Sequence, residues 1–435
     1  MKKTVNHILA AGLLALLSLA SCTDEFIEGN DLQGVDRDKR VEVRLPFGVG
    51  RGITTTITTR AAGGEIDYDS QLSGVMAFVY EAKSDNPEEN ELLAYHLFSN
   101  PSNKPLEGAT GGWIADNDDP TCGEIKFYVP VGDVYIYLLG NAQSSFLNFF
   151  PGVSGGDALG TQAEFFEKAT PKWNGNIHSV DGYLPLTGMV NNNTGLCHVN
   201  EQGQISYTDE EGKTHTLLPD GKHDEDNSFV LKRLMSKITM NIREGKGVKF
   251  TARDYTVRHI PHYVSPTAQA WTEEERDRIL VEDAKPVNFG LLDSLTFTIY
   301  LPENIRKVRS GVEITEYRQR DKVVKTADNK NTEETAPDDF HADNADNHKG
   351  HYKFEFAPKA STYIELTGWF ENADKTVAAD VRYYIHLGNF GKDLNHFSVE
   401  RDHHYTYNVT INGVDDIVVE AVSYTHLRAH ETRGN

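Results

Sequence analysis

The sequence predicts an all-β protein built as two β-sandwiches in tandem, and three observations carry that expectation. Short runs of alternating or β-branched residues recur along most of the chain, separated by Gly, Asn, Asp and Pro. Helical periodicity is confined to three short candidates, 146–150, 162–169 and 271–280, the last with Thr272 as a plausible N-cap. Between the two strand-rich portions, 61–226 and 227–421, the stretch 220–227 is acidic and holds no apolar residue, as a domain boundary does. At 435 residues, each portion is long enough to bury its own core.

The chain opens on Lys2 and Lys3, then an apolar run over 8–20 that is too short for a membrane span. That run ends in Leu19-Ala20-Ser21-Cys22, which resembles a bacterial lipobox. Small residues before the cysteine suit a peptidase pocket, and the free thiol of Cys22 accepts diacylglycerol. Residues 1–21 are then a signal peptide; the alternative is an ordinary signal with an incidental cysteine. Residues 24–40 are polar, mostly acidic and without apolar period, so they read as a tether. Val41-Glu42-Val43-Arg44-Leu45-Pro46-Phe47 alternates as a half-buried strand does, with Val41, Val43 and Leu45 toward a core. A β-branched run over 53–59 stops at Arg60, and Ala61-Ala62-Gly63-Gly64 follows, small and open to a protease. Two readings stand: a strand detached by cutting between Arg60 and Ala61, or an edge hairpin and a loop.

Downstream, 74–80 reads as an apolar core strand and 91–98 as its successor. Val131-Gly132-Asp133 reads as the turn of a strand pair, 123–131 and 133–141. The second member is aromatic and β-branched, which suits a sheet centre. Segment 183–189 is broken by Pro185, and a polar hairpin-like stretch runs to Leu218. Strands are expected over 229–231, 233–242, 255–260 and 295–301, then over 352–356, 362–369, 379–387 and 405–411. Residues 321–350, rich in Asp, Asn, Glu, Thr and Lys, read as a solvated insertion.

Chemistry-bearing patterns are sparse. Asp116, Asp118 and Asp119 crowd a loop without calcium-loop spacing. His341 and His348 lie among Asp338, Asp339, Asp343 and Asp346 but lack the fixed frame a metal needs. His403 and His404 are adjacent on a strand and point to opposite faces. There is no Gly-x-Ser-x-Gly, His-Glu-x-x-His, phosphate-loop or Cys-x-x-Cys motif, so no enzyme, metal or cofactor is expected. A net charge of −22 and a pI near 5.2 argue against nucleic acid or an anionic membrane as a charge-driven partner. With Cys22 lipidated, Cys122 and Cys197 remain; they form one disulfide in an oxidising compartment, or stay as two buried reduced thiols.

The pattern Tyr383-x-Ile385-x-Leu387-Gly388, then Phe397-x-Val399-x-Arg401-Asp402-x-x-Tyr405-x-Tyr407-x-Val409-x-Ile411-x-Gly413, closely resembles the closing hallmark of Bacteroidales fimbrillins. The family has Asn where this chain has Asp402. Leu184-Pro185-Leu186-Thr187-Gly188, the strand around Lys232 to Ile238, and Thr58-Thr59-Arg60-Ala61 resemble further landmarks of that family. The resemblance implies two transthyretin-like β-sandwiches and a major, tip or accessory subunit of a surface fimbria. It implies export as a lipoprotein held in the outer membrane through Cys22, and cleavage after Arg60 by an Arg-specific protease. Strand exchange with other fimbrial subunits would follow, along with adhesion to a host or bacterial surface receptor. Within the family, the rival is an anchor that keeps its lipid and its strand. From another class, the alternative is a surface glycan-binding lipoprotein, which would present aromatic platforms; Trp113, Trp173, Trp271 and Trp369 are scattered. Residues 422–432 resemble a translated sequencing adapter, so 422–435 is expected to be non-native and to pack poorly.

Overall fold

In the computed structural model, the described residues lie between Asp36 and Tyr424. Residues 1–35, 51–71, 149–159, 219–227, 267–280, 324–353 and 425–435, with shorter stretches in other loops, lie outside the description. The expected boundary at 220–227, the helix at 271–280 and most of the insertion at 321–350 fall among them.

The N-terminal portion contains β1 (Asp36–Val49), β2 (Gly74–Glu81), β3 (Leu92–Ser99), β4 (Trp113–Ala115), β5 (Cys122–Gly140), β6 (Leu147–Asn148), β7 (Lys172–Trp173), β8 (Leu186–Gly188), β9 (Leu196–Val199), β10 (Ile205–Thr208), β11 (Thr214–Thr216) and β12 (Phe229–Arg233). All but β6 and β7, which pair with each other, join one ten-stranded sheet. The helix expected over 146–150 is therefore the short strand β6. The helix α1 (Gln162–Lys168) does form.

The spine of this sheet is β5, 19 residues long. Its first half pairs with β1 on one side and β4 on the other. Its second half pairs with β2 on one side and with β8 and β9 on the other. The sequence reading divides this strand into a pair turning at Val131-Gly132-Asp133. The chain instead runs straight through, and Gly132, at φ +130°, takes a backbone angle that a side chain would disfavour. Because β1 also pairs with β12, and β12 returns to β5 through β8, the sheet closes on itself. Its interior holds Val43, Leu45, Phe47, Ile125, Val134 and Phe229.

Strand β2 is buried on both faces. Val75, Ala77 and Val79 point into that interior, while Met76, Phe78 and Tyr80 enter a second apolar cluster. There α1 lays Phe165 on Tyr137, with ring centroids 4.9 Å apart. The cluster continues without interruption into the core of the C-terminal portion.

That portion contains β13 (Met235–Glu244), β14 (Val248–Arg258), β15 (Ile260–Pro261), β16 (Val281–Glu282), β17 (Val287–Asn288), β18 (Thr296–Pro302), α2 (Tyr317–Arg320), β19 (Tyr363–Asn372), β20 (Ala378–His386), β21 (His404–Ile411) and β22 (Ile417–Tyr424). Two four-stranded sheets, β18-β13-β21-β22 and β17-β14-β19-β20, share one core, with Tyr255 stacked on Phe297 at 3.9 Å across it. The binary pattern is plain in β21, where Tyr405, Tyr407, Val409 and Ile411 are buried and the residues between them are not. The short helix α2 buries Arg320 between Phe390 and Phe397, and its guanidinium donates to the Leu387 carbonyl at 3.1 Å.

Both portions place their first strand in the same way. Strand β13 runs parallel to the late strand β21 and antiparallel to β18. Strand β1 runs parallel to the late strand β12 and antiparallel to β5. Only Leu234 separates β12 from β13.

Two expectations change. Val422, Ser423 and Tyr424 pair with Thr406, Tyr405 and His404, so the β22 ladder continues beyond Ala421 instead of ending there; 425–435 lies outside the described residues. The disulfide alternative fails, because neither Cys122 nor Cys197 is in a disulfide. Cys197 stands opposite Val134 on β5, and Cys122 is the first residue of that same strand. At ~3.3 Å per residue this separation is on the order of 40 Å of extended chain, far beyond the ~7 Å Cα limit of a disulfide. Cys197 is buried, and burial pushes its thiol well above the ordinary range.

In denaturant without reductant, both Cys122 and Cys197 should react with a thiol reagent. In the native protein, the half-buried Cys122 should react first. Intact mass after labelling checks this, and two unlabelled thiols in denaturant would restore the disulfide.

Candidate functional site

The alternating residues of β1 set the geometry of the candidate site. Val43, Leu45 and Phe47 are fully buried and Val49 nearly so; Glu42 and Arg44 are exposed, whereas Pro46 and Gly48 are buried as well. The strand is longer than the 41–47 expected, since its backbone is already extended from Asp36 within the stretch read as tether. Its register on β5 starts with Asp36 opposite Val131 and, after an irregularity, runs unbroken from Arg40 opposite Pro130 to Gly48 opposite Cys122. On its other side, Phe47, Gly48 and Val49 lie beside Phe229, Val230 and Leu231 of β12. Pro46, which has no N–H to give, stands just before that second ladder begins.

Neighbouring turns close the rest of the channel. Gly203, in the turn between β9 and β10, lies so close to β1 that a Cβ there would fall 2.1 Å from the Glu42 carbonyl. Its φ of +74° also requires glycine. Lys39 pairs with Glu201 of that turn at 2.5 Å, an exposed contact that contributes little to stability. Trp113 of β4 packs edge-on to Phe47 at 4.9 Å. Gly123 leaves space on that side: a Cβ there would stand 2.9 Å from the Ile114 carbonyl, 3.1 Å from Phe47 Cζ and 3.3 Å from Trp113 Nε1.

At its C-terminal end the strand meets charge. Gly50 N donates to the Leu231 carbonyl at 2.8 Å, and the Gly50 carbonyl accepts from Arg233 Nη1 at 2.5 Å. Arg233, 1% exposed, also donates through Nη1 to Asp402 Oδ1 at 2.7 Å. Its backbone N–H reaches the same oxygen at 3.3 Å. Asp402 N donates to Met235 O at 3.1 Å, and Asp402 adopts φ +57°, a conformation that Asn and Asp tolerate best. Burial pushes its carboxyl above the usual range, and Arg233 pulls it back down. These contacts gather the end of β1, the joint between β12 and β13, and the start of β21.

Sequence reasoning misses this cluster. The signal that would find it is phase: Phe229, Leu231 and Arg233 share one face of β12, so alternation sends the arginine inward. Of the residues singled out from the sequence, Cys22, Arg60 and Ala61 lie outside the described residues. So do Asp116, Asp118 and Asp119, His341 and His348, and Trp271. His404 Nε2 lies 2.9 Å from Thr239 Oγ1, whereas His403 Nε2 lies 3.2 Å from Glu400 Oε2. Among the described residues, no group of three or more His, Cys, Asp and Glu is placed to hold a metal. Trp173 is buried, Trp113 is half-buried against Phe47, and Trp369 is exposed, so the described tryptophans form no shared platform.

Residues 299–409 match a family described as a domain of unknown function, DUF4906. No curated protein matches the chain by sequence. Among solved structures, the chain is similar to the tip fimbrial protein Mfa3 from Porphyromonas gingivalis with a C-terminal truncation: 13% identity, 89% of this chain, 100% of that one and a TM-score of 0.44. It is also similar to a candidate cell adhesion protein from Parabacteroides distasonis (9% identity, 89% and 99% of the two chains, TM-score 0.47). Another from Bacteroides eggerthii shares 10% identity over 91% and 98% of the two chains, with a TM-score of 0.40.

Proposed function

We propose that this chain is a subunit of a surface fimbria, a structural and not a catalytic protein. In this reading it is exported as a lipoprotein acylated at Cys22, cut after Arg60, and assembled by strand exchange with neighbouring subunits. The observation that carries the reading is the position of β1, a strand upstream of Arg60 that fills the sheet between β5 and β12 with alternate side chains buried. The fimbrillin-like closing pattern at 383–413 supports it. Cutting after Arg60 removes the covalent tie between β1 and everything downstream. A sheet that loses this strand exposes apolar core and unsatisfied backbone groups at once, and a strand from another subunit supplies both needs.

Arg60→Ala should leave β1 attached to the rest of the chain and stop assembly into high-mass, SDS-resistant polymers. Mature protein on cells should begin at Ala61, and polymers formed normally by the variant would sink the proposal. Retention on polysaccharide in a pull-down, with no polymers, would favour a glycan-binding lipoprotein instead.

Leu45→Ala should destabilise the uncut chain by about 2–5 kcal/mol, because it leaves a cavity in a closed interior. Glu42→Ala, on the exposed face, should shift stability by less than about 0.5 kcal/mol. Urea unfolding of the two variants distinguishes a packed β1 from a loosely attached one, for which the two changes would be alike.

A further inference from the structure

Two contacts in the β1 channel are selective for residue type. At the place of Phe47 an aromatic ring packs with Trp113 at its edge, and Gly123 beside it keeps a Cβ off the Ile114 carbonyl and off both rings. At the place of Gly50, a Cβ would stand 3.0 Å from Asp402 Oδ2, 3.3 Å from Val230 Cγ1 and 3.4 Å from the Leu231 carbonyl. Asp402 has little freedom to yield, since Arg233 holds its other oxygen from two donors and its own N–H is bonded to Met235. Arg233 meanwhile takes the Gly50 carbonyl.

Apolar alternation alone cannot fix the register of a strand in this channel. A slip of one residue turns every side chain to the wrong face and is strongly excluded. A slip of two restores the alternation, so it is opposed only by features that differ along the channel. The aromatic place and the glycine place are such features, and they stand three residues apart.

We propose that Gly123 with Trp113, and Arg233 with Asp402, form a register gauge that selects the strand occupying the β1 channel. The occupant it selects is an extended segment of another subunit, with bulky apolar residues at alternate positions, an aromatic at the place of Phe47 and glycine at the place of Gly50. Glycine is favoured because a Cβ there, 3.0 Å from Asp402 Oδ2, makes a carboxylate that is already held give way by a few tenths of an ångström. The buried guanidinium donates to the carbonyl at that place, a bond that any residue there can accept, so it holds the strand without choosing its residue. This inference rests on the reading that another subunit's strand refills the channel. It adds which strand is accepted, and in which register.

Peptide exchange tests it without disturbing the fold. The full chain is treated with a limiting arginine-specific protease, and the species cut after Arg60 is selected by intact mass. It is then incubated with labelled peptides of sequence 36–50, amidated at the C-terminus, and retention is read by native mass spectrometry. The parent peptide and its Glu42→Ala form should be retained equally. Gly50→Val and Phe47→Ala should each be retained at least about tenfold less, as expected for a steric clash or a lost ring in a packed site. In protein carrying Asp402→Ala, the Gly50→Val penalty should fall below about threefold; should that variant not fold, the peptide series decides alone. Equal retention of Gly50→Val and parent, or a penalty unchanged by Asp402→Ala, overturns the gauge while leaving strand exchange intact. If no peptide enters the cut protein, β1 does not leave its place, and both the gauge and the assembly reading fall.

Discussion

The N-terminal portion depends on two hydrogen-bond ladders that one strand completes. Among the described residues, the first half of β5 and the end of β12 each have one side paired by β1 alone. Val43, Leu45, Phe47 and Val49 fill the interior from the same strand. Burial of each such side chain is worth about 1.5–3 kcal/mol. Each backbone group left buried and unbonded would cost about 1–3 kcal/mol. Together these terms are of the same order as the whole stability of a typical domain, about 5–15 kcal/mol. The channel is therefore stable when filled and unstable when empty, which is why its occupant matters more than any other element of this portion.

The two halves use one plan with different consequences. Strand β13 occupies in the C-terminal portion the place that β1 occupies in the N-terminal portion. Yet β13 is chained tightly at both ends, to β12 through Leu234 and to β14 through a short turn. Arg233 sits at the first of these joints and touches the last residue of the β1 segment and the residue preceding His403 on the way into β21. The departure of Asp402 from the Asn of the fimbrillin pattern has a physical reading here. Either residue tolerates the left-handed backbone, but only the carboxylate supplies a counter-charge to a buried guanidinium.

Much of the architecture was legible in the residues. Clean alternation located β13 and β21, and the charged-apolar pattern of 41–47 correctly put Val43 and Leu45 inside. What escaped was non-local. A Gly-Asp pair between apolar runs has the composition of a turn, and nothing nearby marks it as the interior of one long strand. Parallel pairing of β1 with β12 joins segments far apart in sequence and leaves no local trace. Arg233 follows another cation, Lys232, and only its phase on β12 marks it as buried. The cysteines had suitable numbers but unsuitable places, since spacing along a chain says nothing of spacing along a strand.

The orientation of β1 also determines how a strand in this place would resist force. The strand lies alongside β5 and β12, with its hydrogen bonds directed across its own length. A pull along the strand axis therefore shears many bonds together, and none can open without straining its neighbours. A pull across the axis would peel them one at a time. Rupture under tension follows the rate of the barrier crossing and not the equilibrium stability. If another chain's strand takes this place as proposed, it would hold longest when pulled along its own axis.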